Sequence, residues 1–269
     1  MNTDLFYQVH SVQDDDEQAS ALPALVLIHG LFGNSDNLSV IRRHFEHERK
    51  VISIDLPDHG KSCRSDTFSF EQYADKVANL LTTLKIHQCV LVGHSLGGKV
   101  SMLVAKAMPS VVVKLVVMDI APIAYPSRHQ NVFKALSAVD LKTLESRADA
   151  KAIISNHIED IGTQAFILKS LYQELDETTG EKHWHWRFNL SLIIRDYDLL
   201  SAWPYKGLCF NGPTLFMKGA DSDYILSEHQ STIMEQFPNA SAKIVPAGHW
   251  LHAQKPQIVN ALIKKFVNE

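Results

Sequence analysis

The pentapeptide Gly93-His94-Ser95-Leu96-Gly97 holds a serine hydroxyl between two glycines, the G-x-S-x-G spacing of an activated nucleophile. The pattern alone is weak, because with Gly and Ser each at about 7% of residues a chain of this length meets it by chance about one time in ten. Its setting carries the weight. The apolar run Cys89-Val90-Leu91-Val92 precedes it, and Gly98 with a helical pattern over 99–108 follows. A strand, a tight turn bearing serine and a helix together describe a nucleophile elbow. A side chain at 93 or 97 would collide with the neighbouring strand or helix, so both positions demand glycine. Such a turn lifts the Ser95 hydroxyl to a helix N-terminus, where partial positive charge favours a developing anion. The competing reading, a Gly-Ser loop without chemistry, leaves the flanking strand and helix unexplained.

A serine hydroxyl is a poor nucleophile at neutral pH and needs a base and an oxyanion site. The run Ala24-Leu25-Val26-Leu27-Ile28 reads as a buried strand, with His29-Gly30-Leu31-Phe32-Gly33 at its carboxyl end. That loop is expected to set the Leu31 N–H opposite the Leu96 N–H as a two-donor oxyanion hole. Near the C-terminus, Ala242-Lys243-Ile244-Val245 reads as a strand followed by Pro246-Ala247-Gly248-His249-Trp250, which puts His249 where the general base belongs in chain order. With 14 histidines, most must do something else. His252 is the rival base, one helical turn further on. His94 is expected to pack locally and His29 to brace the oxyanion loop, while His44, His47, His87 and His129 read as surface residues. No H-x-x-x-H or C-x-x-C pairing occurs, so neither a metal nor another cofactor is expected.

These stretches, together with Asp55-Leu56-Pro57-Asp58-His59-Gly60-Lys61-Ser62, resemble an α/β-hydrolase. Met118-Asp119-Ile120-Ala121-Pro122 and Trp186-Arg187-Phe188-Asn189-Leu190 are similar in detail to small bacterial carboxylesterases of the YbfF type, close to the abhydrolase-domain esterases. The resemblance implies a mostly parallel sheet flanked by helices and a Ser-His-Asp triad. It runs from about residue 5 to the C-terminus.

The acid departs from the superfamily pattern. The turn after the seventh core strand usually carries G-x-x-D, whereas Gly219-Ala220-Asp221-Ser222-Asp223 sets Ser222 at that position. A one-residue shift in a tight turn redirects a side chain, so Asp221 and Asp223 are not free substitutes. Asp119, after the strand that follows the nucleophile strand, is the other solution and the one favoured here, with Asp221 as the alternative. Ser222 is then expected to hydrogen-bond the imidazole as a fourth member.

Around these residues the elements alternate as a parallel sheet requires. Strands are expected over 5–9, 25–28, 51–54, 90–92, 115–118, 214–217 and 242–245, with helices over 38–47, 70–85, 98–108, 227–236 and 254–267. Between Met118 and Thr214 the alternation stops. Helix-like segments at 131–137, 148–156, 161–171 and 190–200 suggest a helical cap over 123–205 roofing the sheet's carboxyl edge, with 1–122 and 206–269 forming the core. Within it, His183-Trp184-His185-Trp186-Arg187-Phe188 alternates like a short strand or extended loop. Its rings either anchor the cap on the core or, with Phe32, Tyr125 and Trp250, wall an acyl pocket that Trp186 and Phe188 would complete. Arg187 reads as an ion-pair partner or as an anchor for an acidic or phosphate-bearing substrate.

Composition agrees without deciding. The 269 residues and 45% hydrophobic content suit one α/β core of ordinary size with an insertion. A formal charge of −4 gives no basic footprint for nucleic acid. Three isolated cysteines suggest reduced thiols, and residues 1–10 lack a signal-peptide pattern, which together suggest a cytoplasmic chain. No apolar stretch approaches a membrane span. The acidic run 14–17 reads as a solvated turn. The expected activity is hydrolysis of small or medium carboxylic esters through an acyl-enzyme by a monomer or homodimer. Acyl-CoA thioesters, carbon–carbon bond hydrolysis and perhydrolysis use the same residues and stay open. Ser95 excludes the haloalkane dehalogenases, which use aspartate on this fold. A non-catalytic receptor or scaffold would have lost the serine or the histidine, and this chain keeps both.

Overall fold

The computed structural model describes residues 4–11 and 22–269, so the expected acidic turn at 14–17 lies outside the described residues, as do residues 1–3. Seven strands form one sheet: β1 (Tyr7–His10), β2 (Ala24–Ile28), β3 (Val51–Ile54), β4 (Cys89–His94), β5 (Val112–Met118), β8 (Thr214–Gly219) and β9 (Ala240–Val245). Their spatial order is β1-β3-β2-β4-β5-β8-β9. Only β1 runs antiparallel to its neighbour. The fold is that of an α/β-hydrolase.

Side chains alternate across the strands and divide the core in two. Val26, Ile28, Leu91, Leu115 and Val117 face one side, together with α2 (Phe70–Thr83) and α3 (Leu96–Ala107). Leu25, Leu27, Val90, Val92, Val116 and Met118 face the other, against α1 (Ser39–Phe45) and α11 (Pro256–Asn268). Burial on both faces explains why the central strands are apolar throughout rather than alternating with polar residues. The remaining core helices are α9 (Gln230–Gln236) and the short α10 (Leu251–Gln254).

Between β5 and β8 the chain forms α4 (Gln130–Ala138), α5 (Arg147–Ser155), α6 (Ile161–Lys169), α7 (Leu190–Arg195) and α8 (Tyr197–Ser201). It also forms an antiparallel hairpin of β6 (Leu171–Leu175) with β7 (Lys182–Trp186), where only helices and one extended stretch were expected. Leu171, the last residue of the expected helix, instead pairs with Trp186. Ser146, Asp160 and Asn189 cap α5, α6 and α7 by accepting hydrogen bonds from Asp149, Thr163 and Leu192 amides.

Buried polar contacts fasten this segment to the core. The Asp58 carbonyl accepts from the Asn189 amide at 2.8 Å and its carboxylate from Asn189 Nδ2 at 2.9 Å. Ser170 Oγ donates to the Phe32 carbonyl at 2.8 Å. Among the described residues no helix is long and apolar enough to cross a membrane, and Cys63, Cys89 and Cys209 are all free.

Candidate active site

Ser95 sits between β4 and α3 with φ 51° and ψ −118°, a conformation that costs a non-glycine residue about 1–3 kcal/mol. Hydrogen bonds on both sides hold it there. Its amide donates to the Met118 carbonyl at 3.0 Å, and its carbonyl accepts from Gly98 at 2.8 Å. The glycines are sterically required. A Cβ on Gly93 would lie 2.3 Å from the Gly97 carbonyl oxygen, and one on Gly97 would lie 2.3 Å from that of Ile28.

Asp119 follows β5 and is wholly buried, with φ +54°. Its amide donates to the Met217 carbonyl at 2.8 Å, which ties it to the end of β8. Oδ1 accepts from the Gly219 amide at 2.8 Å. Oδ2 lies 2.8 Å from His249 Nδ1 and also accepts the Ser222 hydroxyl. A carboxylate with no proton of its own obliges Nδ1 to carry the hydrogen, which leaves Nε2 as the acceptor. Asp221 is exposed, and its amide donates to the Ala247 carbonyl at 3.0 Å. Asp223 is also exposed and pairs with Arg128. Of the carboxylates considered from sequence, Asp119 is the one in contact with His249. The expectation for Ser222 needs correcting, because its hydroxyl meets the carboxylate oxygen rather than the imidazole.

Two further contacts hold His249, one at its ring and one at its backbone. Tyr224 stacks on the ring, with centroids 4.1 Å apart and 23° between planes. His94 Nε2 donates to the His249 carbonyl at 2.9 Å, which accounts for the local role expected of His94. His252 is buried against His94, its centroid 4.6 Å away, and burial pushes its pKa down to about 3. His29 braces the loop after β2: its Nε2 accepts from the Leu56 amide at 3.0 Å, so Nδ1 donates to the Gly30 carbonyl at 2.7 Å.

Two chambers open on Ser95. One, of about 210 Å³, is lined by Leu31, Phe32, Phe166, Ile167, His249 and Trp250 among others. Phe166 and Trp250 lie against each other, with ring centroids 4.1 Å apart. The second, of about 50 Å³, is lined by Leu31, Leu96, Lys99, Tyr125, Arg128 and Tyr224 among others. Leu31 and Leu96, the expected oxyanion pair, thus share a cavity wall with Ser95, and Phe32, Tyr125 and Trp250 also line these chambers. Trp186 and Arg187 do not. Trp186 stacks on Phe188, with centroids 5.5 Å apart, and both line a larger outer groove that contains none of Ser95, Asp119 or His249. Arg187 lies over the Tyr172 ring at 5.2 Å. The β6–β7 hairpin explains this, because pairing Leu171 with Trp186 fixes which way the segment faces.

Sequence reasoning missed several wall residues. His129, expected on the surface, faces the Ser95 chambers beside Tyr197, and burial lowers its pKa to about 4. Lys99 is the most unexpected. It is only 2% exposed, and its Nζ donates to the carbonyls of Ser201 at 3.1 Å and Ala202 at 2.9 Å. Its spacing offered a signal, since a residue four beyond Ser95 on a helix lies on the same face.

A model of the alpha/beta hydrolase fold matches residues 23–256. A putative esterase/lipase of Haemophilus influenzae is 39% identical over 267 residues, 98% of this chain and 88% of that protein. Esterase YbfF of Escherichia coli strain K12 is 34% identical over 247 residues, 91% of this chain and 93% of that protein. The solved structure of a marine microorganism esterase superposes with a TM-score of 0.88 at 29% identity, covering 98% of this chain and all (100%) of that one.

Proposed function

The chain belongs to the α/β-hydrolase family and is a carboxylester hydrolase; from that premise we propose that Ser95, His249 and Asp119 act as a triad cleaving esters of small or medium acyl groups through an acyl-enzyme. His249 Nε2 takes the Ser95 proton as the hydroxyl attacks the ester carbonyl. The amides of Leu31 and Leu96 hold the oxyanion, with the α3 N-terminus adding its partial positive charge. His249 then protonates the departing alcohol, and water releases the acid by the same steps in reverse. Asp119 keeps the imidazole in the tautomer that leaves Nε2 free and stabilises the imidazolium. Ser222 supports the carboxylate rather than the base. The insertion over 123–205 acts as the cap, supplying Val132, Phe166 and Ile167 to the larger chamber.

The observation that carries this reading is the 2.8 Å contact between His249 Nδ1 and a buried Asp119, with Ser95 and His249 opening on one cavity. A fluorophosphonate probe tests it: the purified protein should label at Ser95, and Ser95→Ala should neither label nor hydrolyse p-nitrophenyl acetate. Losing a covalent triad costs on the order of 10⁶ in rate. Turnover by Ser95→Ala within tenfold of the parent protein would overturn the assignment. p-Nitrophenyl esters of graded length would then show where the larger chamber limits the acyl chain.

A further inference from the structure

The larger Ser95 chamber and the outer groove stand back to back. The chamber's lining runs from half-buried Thr163, Phe166 and Trp250 to fully buried Phe32 and Ile167, which sets its mouth at the first group and its floor at the second. Behind the floor the Phe32 ring meets Phe188, with centroids 5.0 Å apart and 62° between planes. Phe188 in turn stacks on Trp186, and these two rings line the groove of about 870 Å³. The groove lies between residues 64–66 of the core and helices α4 and α7, and its walls include Leu136, Val139, Leu141 and Leu192. Helix α4 flanks both spaces, with Val132 on the chamber, Leu136 on the groove and Phe133 edge-on to Phe32. A run of three buried rings thus stands between the two cavities.

Each ring is held there by its surroundings. Phe32 takes φ +62°, a strained conformation for a residue with a side chain, and its carbonyl accepts from Ser170. Phe188 forms an isolated antiparallel bridge with His59, and its neighbour Asn189 is tied to the Asp58 carboxylate. Trp186 keeps its indole although Nε1 is buried with no acceptor among the described residues, a cost that a smaller apolar side chain would avoid. The chain therefore tolerates strain and an unmet donor to keep bulk at this place. We infer that the Phe32–Phe188 contact is the stop that limits acyl length, with Phe188 as the specificity-determining residue, and that the outer groove is the space a longer chain enters once the stop is removed. The inference rests on Ser95 as nucleophile with the acyl group in the larger chamber, and it names the substrate class: esters whose acyl chain fits that chamber alone. A methylene takes about as much room as a water molecule, roughly 30 Å³, so a chamber of about 210 Å³ holds roughly seven carbons. A longer chain must push the Phe32 ring outward, and Phe188 blocks that swing. Phe188 is the cleaner ring to change, because Phe32 follows Leu31 in the loop that supplies the oxyanion donor.

p-Nitrophenyl esters from acetate to dodecanoate test it, with kcat/KM read at each length and thermal unfolding as a check on the fold. One methylene accepted or refused by an apolar pocket changes kcat/KM by about tenfold or more. The parent protein is expected to peak at or below octanoate and to lose about tenfold or more by dodecanoate. Phe188→Ala is expected to raise the ratio of dodecanoate to acetate hydrolysis by about tenfold or more. Adding Ser137→Trp, which fills the groove from an exposed position of α4, is expected to return that ratio to the parent value. Three results overturn the inference: a parent that cleaves dodecanoate as well as its best shorter ester, an unchanged ratio in Phe188→Ala, or a ratio that stays raised when Ser137→Trp is added. Equal loss at every length is the second of these and assigns Phe188 to packing alone. Where Phe188→Ala does not fold, Phe188→Leu takes its place, with the same direction expected and the same outcomes deciding. Failure of the parent to hydrolyse any of these esters would refute the Ser95 reading itself, which separates the two failures.

Discussion

Replacing Asp119 by asparagine keeps the shape of the side chain and changes one oxygen to an amide nitrogen. Which end becomes nitrogen is decided by the surroundings. Oδ1 accepts from the Gly219 backbone amide at 2.8 Å, and that donor cannot be reversed. The asparagine oxygen is therefore held there, and the NH₂ falls where Oδ2 meets His249 Nδ1 at 2.8 Å. A donor in that place forces Nδ1 to become the acceptor, so the imidazole proton moves to Nε2. The base then points a hydrogen at Ser95 instead of a lone pair. The same change of tautomer costs about 10⁴ in kcat in the best-studied serine proteases. Here Ser222 can rotate to accept from the new NH₂ and fix the wrong tautomer further, so the loss should be at least about 10²-fold, or about 2.7 kcal/mol of barrier. Asp221→Asn, altering an exposed carboxylate, should cost less than about tenfold. Steady-state hydrolysis of p-nitrophenyl acetate by both variants measures this, with thermal unfolding as a check on the fold. Asp119→Asn within tenfold of the parent, or a larger loss for Asp221→Asn, would refute the argument.

His249→Gln should abolish turnover, whereas His252→Gln should act mainly on stability, because His252 is buried against His94; retained esterase activity in His249→Gln reverses the assignment. Acid should destabilise the fold unusually early. Burial lowers His59 and His252 to about 3 and His129 to about 4, so the unfolded chain binds more protons as pH falls below about 6.5. The stability these neutral rings confer is complete above that value and is lost progressively from about pH 6.5 down to about 4 for His129 and about 3 for His59 and His252, at roughly 2 kcal/mol per ring by pH 5. Urea titrations at pH 7 and pH 5 should differ by several kcal/mol, and a difference below about 1 kcal/mol would contradict the neutral-histidine reading.

Where local pattern and tertiary packing agree, the sequence was enough. The central strands are apolar on both faces, so Ala24–Ile28 and Cys89–His94 stood out before any contact was known. The elbow was legible because its glycines answer a steric demand within a few residues. The pocket walls were not. Trp186 and Phe188 could be read as anchors or as acyl-pocket walls because aromatic side chains serve equally in both, and the β6–β7 pairing that decides between them is not written in the helical periodicity around it. Lys99 escaped notice for the opposite reason. A lysine in a helix reads as a solvated face, yet ten of the twelve residues of α3 are buried because the helix packs between the sheet and α2, with residues 201–202 over Lys99. His129 read as surface because only the fold sets it beside Tyr197 at the mouth of the chambers.

The position of Asp119 follows from the sheet. β5 and β8 are parallel neighbours with Met118 opposite Met217, and adjacent strands lie about 4.8 Å apart. A carboxylate one residue past β5 therefore starts one strand spacing from the turn after β8, within reach of the same imidazole. The Asp119 backbone turns toward that point by taking φ +54°, a conformation aspartate tolerates better than most side chains. The Gly219 amide, released at the end of β8, then satisfies Oδ1. Ser222, standing in the turn where a carboxylate is usual, turns its hydroxyl onto Oδ2 and so supplies a donor to the group that replaced it. Two carboxylates at these two places would repel each other in a buried site, which raises the pKa of one and spoils it as an anionic partner. Serine at 222 is thus the complement of aspartate at 119, and the unusual turn sequence and the buried carboxylate after β5 are one feature of the fold.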